Sequence, residues 1–131
     1  MGIEYRIVTD KKFDDDFRKL IKKCLSLEED FERLKKVLLF DLKRGNHRLT
    51  HERYHQIPNL GGKVKFPVFK VKKFRCKKIS KGNRSGFRFI FILSRKHNVV
   101  YFVECYHKNK KKNADIERIK NISKYFESHF L

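Results

Sequence analysis

The segment 87–93 limits the possible folds of this chain more than any other. It reads Phe-Arg-Phe-Ile-Phe-Ile-Leu, so both alternating phases are apolar and Arg88 is its one charged residue. This pattern is typical of a central strand that is covered on both faces. A charge in such a strand is costly unless it reaches a solvated end of the sheet. The sequence therefore singles out Arg88 as the best candidate for a functional residue.

The N-terminal part predicts one strand and two helices. Residues 4–9 alternate as a short strand does, and from 13 to 24 the apolar residues recur at helical spacing, with Asp10 or Thr9 as the N-cap. A Ser-Leu-Glu-Glu capping-box pattern from Ser26 opens a second helix, which stops near Gly45. Two helices this close form an antiparallel hairpin packed on the sheet.

The C-terminal part predicts three strands and a helix. The strands cover 68–78, with a bend near residues 72–73, then 87–93 and 99–106, and the helix runs from 113 to 130. The fold class is therefore α+β, an antiparallel sheet with an N-terminal helical hairpin and a C-terminal helix in the order β-α-α-β-β-β-α. We expect a single domain over 1–131.

The segment 45–66 is predicted to be a long basic loop. It contains His47, His51 and His55, whose i, i+4, i+8 spacing on a helix would resemble a metal site. Glu52 is the one acidic residue beside them. We therefore interpret the segment as solvated, and we expect neither a metal nor a cofactor.

The charge of the chain indicates a polyanionic partner. Its 131 residues include 34 Lys+Arg against 15 Asp+Glu, which gives a net charge of +19. Nucleic acid is the leading candidate, followed by an acidic protein or an anionic membrane surface. The 13 Phe and 5 Tyr supply enough large apolar side chains for a folded core.

The remaining composition predicts a cytoplasmic protein with no membrane segment. The N-terminus lacks the apolar stretch of a signal peptide, and no run is long enough to span a bilayer. Three cysteines, Cys24, Cys76 and Cys105, are odd in number and lack C-x-x-C spacing. We expect all three to be buried free thiols.

The predicted strand registers gather a cationic cluster at one end of the sheet. If Ser94 pairs with Val99, Arg88 lies opposite Cys105 and His107 lies one diagonal step away. A similar register on the other side places Arg75 opposite Arg88 and adds Lys73. Such a cluster, with one group that titrates near neutral pH, suits phosphodiester cleavage by an internal 2′-hydroxyl. The alternative is a solvated basic face that only binds phosphate.

Three motifs carry a resemblance to a known family. They are Lys-Lys-Phe-Arg at 72–75, Ser-Gly-Phe-Arg-Phe-Ile-Phe at 85–91 and Glu-Cys-Tyr-His-Lys at 104–108. With these motifs the chain resembles the RelE/ParE superfamily of toxins from toxin-antitoxin systems, over nearly its whole length. The resemblance implies the same order of elements.

The resemblance also implies an activity and a set of roles. It implies metal-independent cleavage of mRNA on the translating ribosome, which inhibits translation, and a cognate antitoxin that holds the toxin inactive. Arg88 matches the phosphate-stabilising arginine of the family. The basic residues on its strand are matched by Lys72, Lys73 and Arg75, and its general acid or base is matched by Tyr106 or His107. We assign RNA contacts to basic residues around these motifs: Lys70, Lys72, Lys77, Lys78, Arg84, Lys108, Lys110, Lys111 and Lys112.

Two departures from the family leave alternatives open. After residues 108–109 the chain continues into a helix, where some ribonuclease members place a terminal tyrosine, and the segment 45–66 is longer than in minimal members. The general acid is therefore His107, Tyr106 or neither. ParE-like members inhibit DNA gyrase instead of cutting RNA, and a basic nucleic-acid-binding protein without catalysis is the third possibility.

Overall fold

The computed structural model describes residues 4–78 and 85–130. Arg84, predicted to contact RNA, lies outside this part of the chain. Of the described helices, none is long and apolar enough to cross a lipid bilayer. The elements, in chain order, are β1 (Arg6–Thr9), α1 (Lys11–Ile21), α2 (Leu27–Arg44), β2 (Tyr54–Gln56), β3 (Val68–Val71), β4 (Phe87–Ser94), β5 (Val99–His107) and α3 (Ile116–Phe130).

The predicted α+β class is confirmed, with two differences in the sheet. The strand order is β1-β5-β4-β3-β2. β1 runs parallel to β5 while the other neighbours are antiparallel, so the sheet is mixed and not antiparallel throughout. β2 lies within the segment predicted as a loop. It forms because Tyr54 is buried under the sheet, where its hydroxyl donates to Asp41 Oδ2 of α2 at 2.6 Å.

β4 separates two hydrophobic cores, as its double-sided apolar pattern predicted. On one face, Phe89 and Phe91 pack against the α1–α2 hairpin, and Phe31 stacks on Phe89 with ring centroids 5.3 Å apart. We call this the hairpin face. On the other, Ile90 and Ile92 pack under α3, and we call this the α3 face.

The β4–β5 hairpin carries a bulge that the sequence did not reveal. Ser94 pairs with Val99 as predicted, but the register shifts between Ile90 and Phe91, so Ile90 faces Glu104. Glu104 lies on the α3 face, where its carboxylate accepts the backbone N–H of residue 115 at 2.9 Å. Val103 is buried on the same face, so two successive residues of β5 point to the α3 face. From Cys105 onward, each residue of β5 therefore lies on the face opposite to the one that an unbroken register predicts.

The helix starts lie close to the predicted positions, but the predicted capping contacts of α2 and α3 are not the ones that form. Asp10 caps α1 by accepting the Lys12 N–H at 2.9 Å. Ser26 precedes α2 without capping it; its hydroxyl donates to Asp30 Oδ2 at 2.7 Å. At α3, Asp115 and not residue 113 accepts a first-turn amide, that of Arg118, at 3.0 Å.

The cysteine prediction is wrong for two of the three residues. Cys24 and Cys76, 52 residues apart, are joined in a disulfide, because the turn after α1 packs against the segment that follows β3. Cys105 is buried and free, as predicted. Separation along the chain carries no signal of such a contact.

The three histidines of the 45–66 segment do not share a helix face, because α2 ends at Arg44. His47 adopts a positive φ of 73° and its Nδ1 is hydrogen-bonded to the Tyr5 hydroxyl at 2.5 Å. His51 is exposed in a turn, and His55 lies on β2.

Candidate nucleic-acid interface

Polar residues from four strands form a row across the α3 face, at the end of the sheet where β4 begins. His55 on β2 pairs with Lys70 on β3, and Arg88 on β4 pairs with Tyr106 on β5. Lys70 faces Ile90, two residues from Arg88, so their side chains emerge on the same face. We call His55, Lys70, Lys72, Arg88 and Tyr106 the sheet-face cluster.

Arg88 is half-buried and held by backbone oxygens only. Its Nη1 donates to the carbonyl oxygens of Lys72 at 3.2 Å and Phe87 at 3.3 Å. Within residues 4–78 and 85–130 it forms no ion pair with a carboxylate. Its positive charge is therefore available to an incoming anion such as a phosphate.

Tyr106 is the most unusual member of the cluster. Its side chain is 6 % exposed, and its hydroxyl has no hydrogen-bond partner among the described residues. Burial, and then the charge of Glu104, raise the pKa of the phenol, while Arg88 lowers it. A tyrosine phenol is protonated at neutral pH whether or not its pKa is raised, so Tyr106 has a proton to donate.

The β2–β3 side of the cluster contains mutually repelling cations. Burial, followed by the charges of Lys72 and Arg88, lowers the pKa of Lys70. Lys72, burial and Lys70, with a smaller effect of His51, lower the pKa of the exposed His55. Repulsion of this kind is relieved when a polyanion binds, which favours phosphate backbones as ligands.

His107 lies on the opposite face from Arg88, so the predicted juxtaposition of these two residues is wrong. The bulge turns its side chain to the hairpin face, where it packs edge-on against Phe87 at 5.0 Å. The Asn109 N–H donates to its Nδ1 at 3.1 Å, and its Nε2 lies 3.0 Å from the Ser85 carbonyl oxygen. These contacts assign the proton to Nε2 and engage both ring nitrogens with the backbone.

Lys73 and Arg75 also lie apart from Arg88. β3 ends at Val71, so the predicted pairing of Arg75 with Arg88 is wrong. Both residues line a groove against α2, where the Arg75 carbonyl accepts a hydrogen bond from Arg33 at 2.8 Å. Lys70 on β3 and Lys72 just after it lie at the cluster in their place: the Lys72 carbonyl oxygen accepts from Arg88, and the charge of Lys72 acts on Lys70.

The other residues predicted to contact RNA are dispersed around the cluster. Lys111 pairs with Glu104, and its Nζ lies 5.5 Å from the centre of the Tyr106 ring. Lys77 and Lys78 lie after β3 near the start of α2, and their backbone N–H groups donate to Asp30 and Ser26. Lys108, Lys110 and Lys112 are exposed beyond the end of β5.

Sequence reasoning missed His55 as a member of this surface. It was assigned to a solvated loop, because a strand of three residues is too short to show an alternating pattern. The one local indication is Tyr54: because this residue is buried on one face, alternation along the strand places His55 on the opposite face.

The described residues also contain a group of potential metal ligands away from this surface: Cys24, Asp30 and Cys76. It is buried on the hairpin side. No protein-family model matches the chain, and neither a curated protein nor a solved structure matches it.

Proposed function

We propose that the chain is a RelE-like toxin, a metal-independent endoribonuclease that cleaves mRNA during translation, with the sheet-face cluster as its active site. The observation that carries this proposal is the pairing of Arg88, which has no carboxylate partner, with the buried and unpartnered hydroxyl of Tyr106. A guanidinium beside a proton donor is the arrangement that phosphodiester cleavage requires.

In the proposed reaction the 2′-hydroxyl of one nucleotide attacks the adjacent phosphorus. The P–O bond to the 5′-oxygen of the next nucleotide breaks, which leaves a 2′,3′-cyclic phosphate and a 5′-hydroxyl end. Arg88 stabilises the negative charge that develops on the phosphorane, and Tyr106 protonates the leaving 5′-oxygen. His55, whose pKa is lowered, is the candidate for accepting the 2′-hydroxyl proton.

The architecture and charge support this proposal. The structure is α+β, with a five-stranded mixed sheet and three helices among the described residues, and this fold class is compatible with the resemblance. The net charge of +19 suits ribosomal RNA and mRNA, and it also suits an acidic antitoxin that covers the basic face. In this proposal the protein acts in the cytoplasm, where translation occurs.

Induced expression followed by mapping of mRNA 5′ ends tests the proposal. Cuts that recur in phase with codons within translated frames are expected. Accumulation of gyrase-linked DNA breaks without such cuts would instead identify a gyrase inhibitor. If neither appears while the protein binds RNA, the chain is a nucleic-acid-binding protein without catalysis.

A further inference from the structure

Two cysteines and an aspartate meet in a buried site on the hairpin side of the sheet. Cys24 lies in the turn after α1, Asp30 in the first turn of α2, and Cys76 after β3. They are 3 %, 0 % and 0 % exposed. One donor atom from each, two sulfurs and a carboxylate oxygen, lies within 4.8 Å of the others.

Both oxygens of the Asp30 carboxylate have polar or charged neighbours. Its Oδ2 accepts hydrogen bonds from the Ser26 hydroxyl at 2.7 Å and the Lys77 N–H at 3.1 Å. Its Oδ1 has no hydrogen-bond partner among the described residues, although Arg33 Nη2 lies 3.0 Å away as an ion-pair partner. These contacts hold one carboxylate oxygen of Asp30 within 4.8 Å of the two cysteine sulfurs.

The backbone spacing of the cysteines is wide for a disulfide. Their Cα atoms are 7.5 Å apart, whereas the Cα atoms of most disulfides are about 4.4–6.8 Å apart. A zinc ion lies about 2.3 Å from each thiolate sulfur that it binds, so thiolates that share an ion suit a wider backbone spacing. Ser26 Oγ, whose one proton goes to Asp30 Oδ2, lies 3.5 Å from Cys24 Sγ and 3.7 Å from Cys76 Sγ.

We propose that, once the disulfide is reduced, Cys24, Cys76 and Asp30 bind a zinc ion, with water as the fourth ligand. A dithiol reductant gives two electrons to the S–S bond, which breaks to two thiols while the dithiol becomes a disulfide. Zinc then displaces the two thiol protons. Two thiolates and one carboxylate leave the zinc complex with one negative charge, which the guanidinium of Arg33 balances.

The proposed ion connects the segment after β3 to the turn between α1 and α2 and to the first turn of α2. The disulfide makes the same connection in the oxidised protein, so the site keeps this segment in place in either redox state. The inference is independent of the ribonuclease proposal, because none of its ligands belongs to the sheet-face cluster.

The test measures zinc in the full chain purified with a thiol-free phosphine reductant and then passed through a desalting column. One zinc per chain is expected in the wild type and in Cys105→Ser, the matched control with a buried cysteine that lies elsewhere. Cys24→Ser should lose stoichiometric zinc. Asp30→Asn should bind zinc more weakly than the wild type.

Cobalt substitution gives a second measurement that needs no variant to fold. Co²⁺ bound to the reduced wild-type protein should show sulfur-to-metal charge-transfer absorption and the visible bands of a tetrahedral ion. Absence of zinc and of these bands in reduced protein overturns the proposal. So does full zinc retention in a folded Cys24→Ser variant, or an intact disulfide by mass spectrometry after reduction.

Discussion

At the scale of single residues, Tyr106 and His107 are neighbours in the chain with different surroundings. Tyr106 has a hydroxyl without a partner beside Arg88, whereas both ring nitrogens of His107 contact the backbone on the other face. The sequence identified both as candidates for the general acid, because residue type alone does not tell which face a side chain occupies. Arg88 was identified correctly as the charge at the end of an apolar strand.

Replacement of Tyr106 by Phe should separate activity from stability. It removes a buried hydroxyl that has no partner, so the free energy of unfolding should stay the same or rise by about 1 kcal/mol. The single-turnover rate of RNA cleavage should fall about 100-fold, as expected for loss of a proton donor. Denaturant unfolding and quenched-flow cleavage measure the two effects, and an undiminished rate would exclude Tyr106 as the acid.

The raised pKa of Tyr106 also predicts how the cleavage rate depends on pH. A general acid works while it is protonated, and the pKa of this phenol lies above its ordinary value of about 10. The rate should therefore not decline on the alkaline side below about pH 10. A decline that begins near neutral pH would indicate a different acid.

His107→Gln should produce the opposite result to Tyr106→Phe. The variant loses the backbone contacts of the imidazole and its packing on Phe87, so the protein should lose roughly 1–2 kcal/mol of stability. The cleavage rate and its pH profile should match the wild type at temperatures where the variant is folded. If the cleavage rate of the variant no longer depends on pH as in the wild type, His107 belongs to the active site.

At the scale of secondary-structure elements, local patterns predicted the hairpins and helices, but contacts distant in sequence set the exact registers. The polar loop between β4 and β5 was predicted from its length and composition, and the assumed pairing of Ser94 with Val99 is present in the structure. The bulge depends on Glu104 reaching the backbone before α3, and β2 depends on Tyr54 reaching α2. Neither contact leaves a periodic signal in the sequence.

Gly86 tests how the start of β4 is positioned. Its φ is +90°, and a Cβ there would lie 2.6 Å from His107 Nε2. Gly86→Ala should therefore lower the free energy of unfolding by about 2 kcal/mol or more. Gly62→Ala is the matched control, because no atom lies within 4 Å of its added Cβ. Equal stability of the two variants would contradict the described turn.

At the scale of the whole molecule, two apolar cores and a strongly basic surface were both predictable from composition and period. Segment 87–93 required cover on both faces, and the helical hairpin and α3 provide it. Composition does not show where on the surface the basic side chains gather without carboxylate partners. That place depends on which strand neighbours share a face.

The net charge predicts that binding to RNA weakens steeply with salt. Each phosphate contact releases condensed counterions, so a chain with many contacts should lose affinity by orders of magnitude between about 50 and 200 mM salt. Fluorescence anisotropy with a single-stranded RNA oligonucleotide measures this dependence. A nearly constant affinity over that range would show that phosphate contacts do not dominate binding.

The most direct test of the proposed active site is single-turnover cleavage of mRNA held on stalled ribosomes by the Arg88→Ala variant. The rate should fall about 100-fold or more, the loss typical of a group that stabilises transition-state charge. Lys110→Ala, at an exposed position outside the sheet-face cluster, should weaken binding slightly and keep the wild-type rate of the chemical step. Thermal melting should show that both variants are folded. If folded Arg88→Ala cuts mRNA at the wild-type rate, the sheet-face cluster is not the active site.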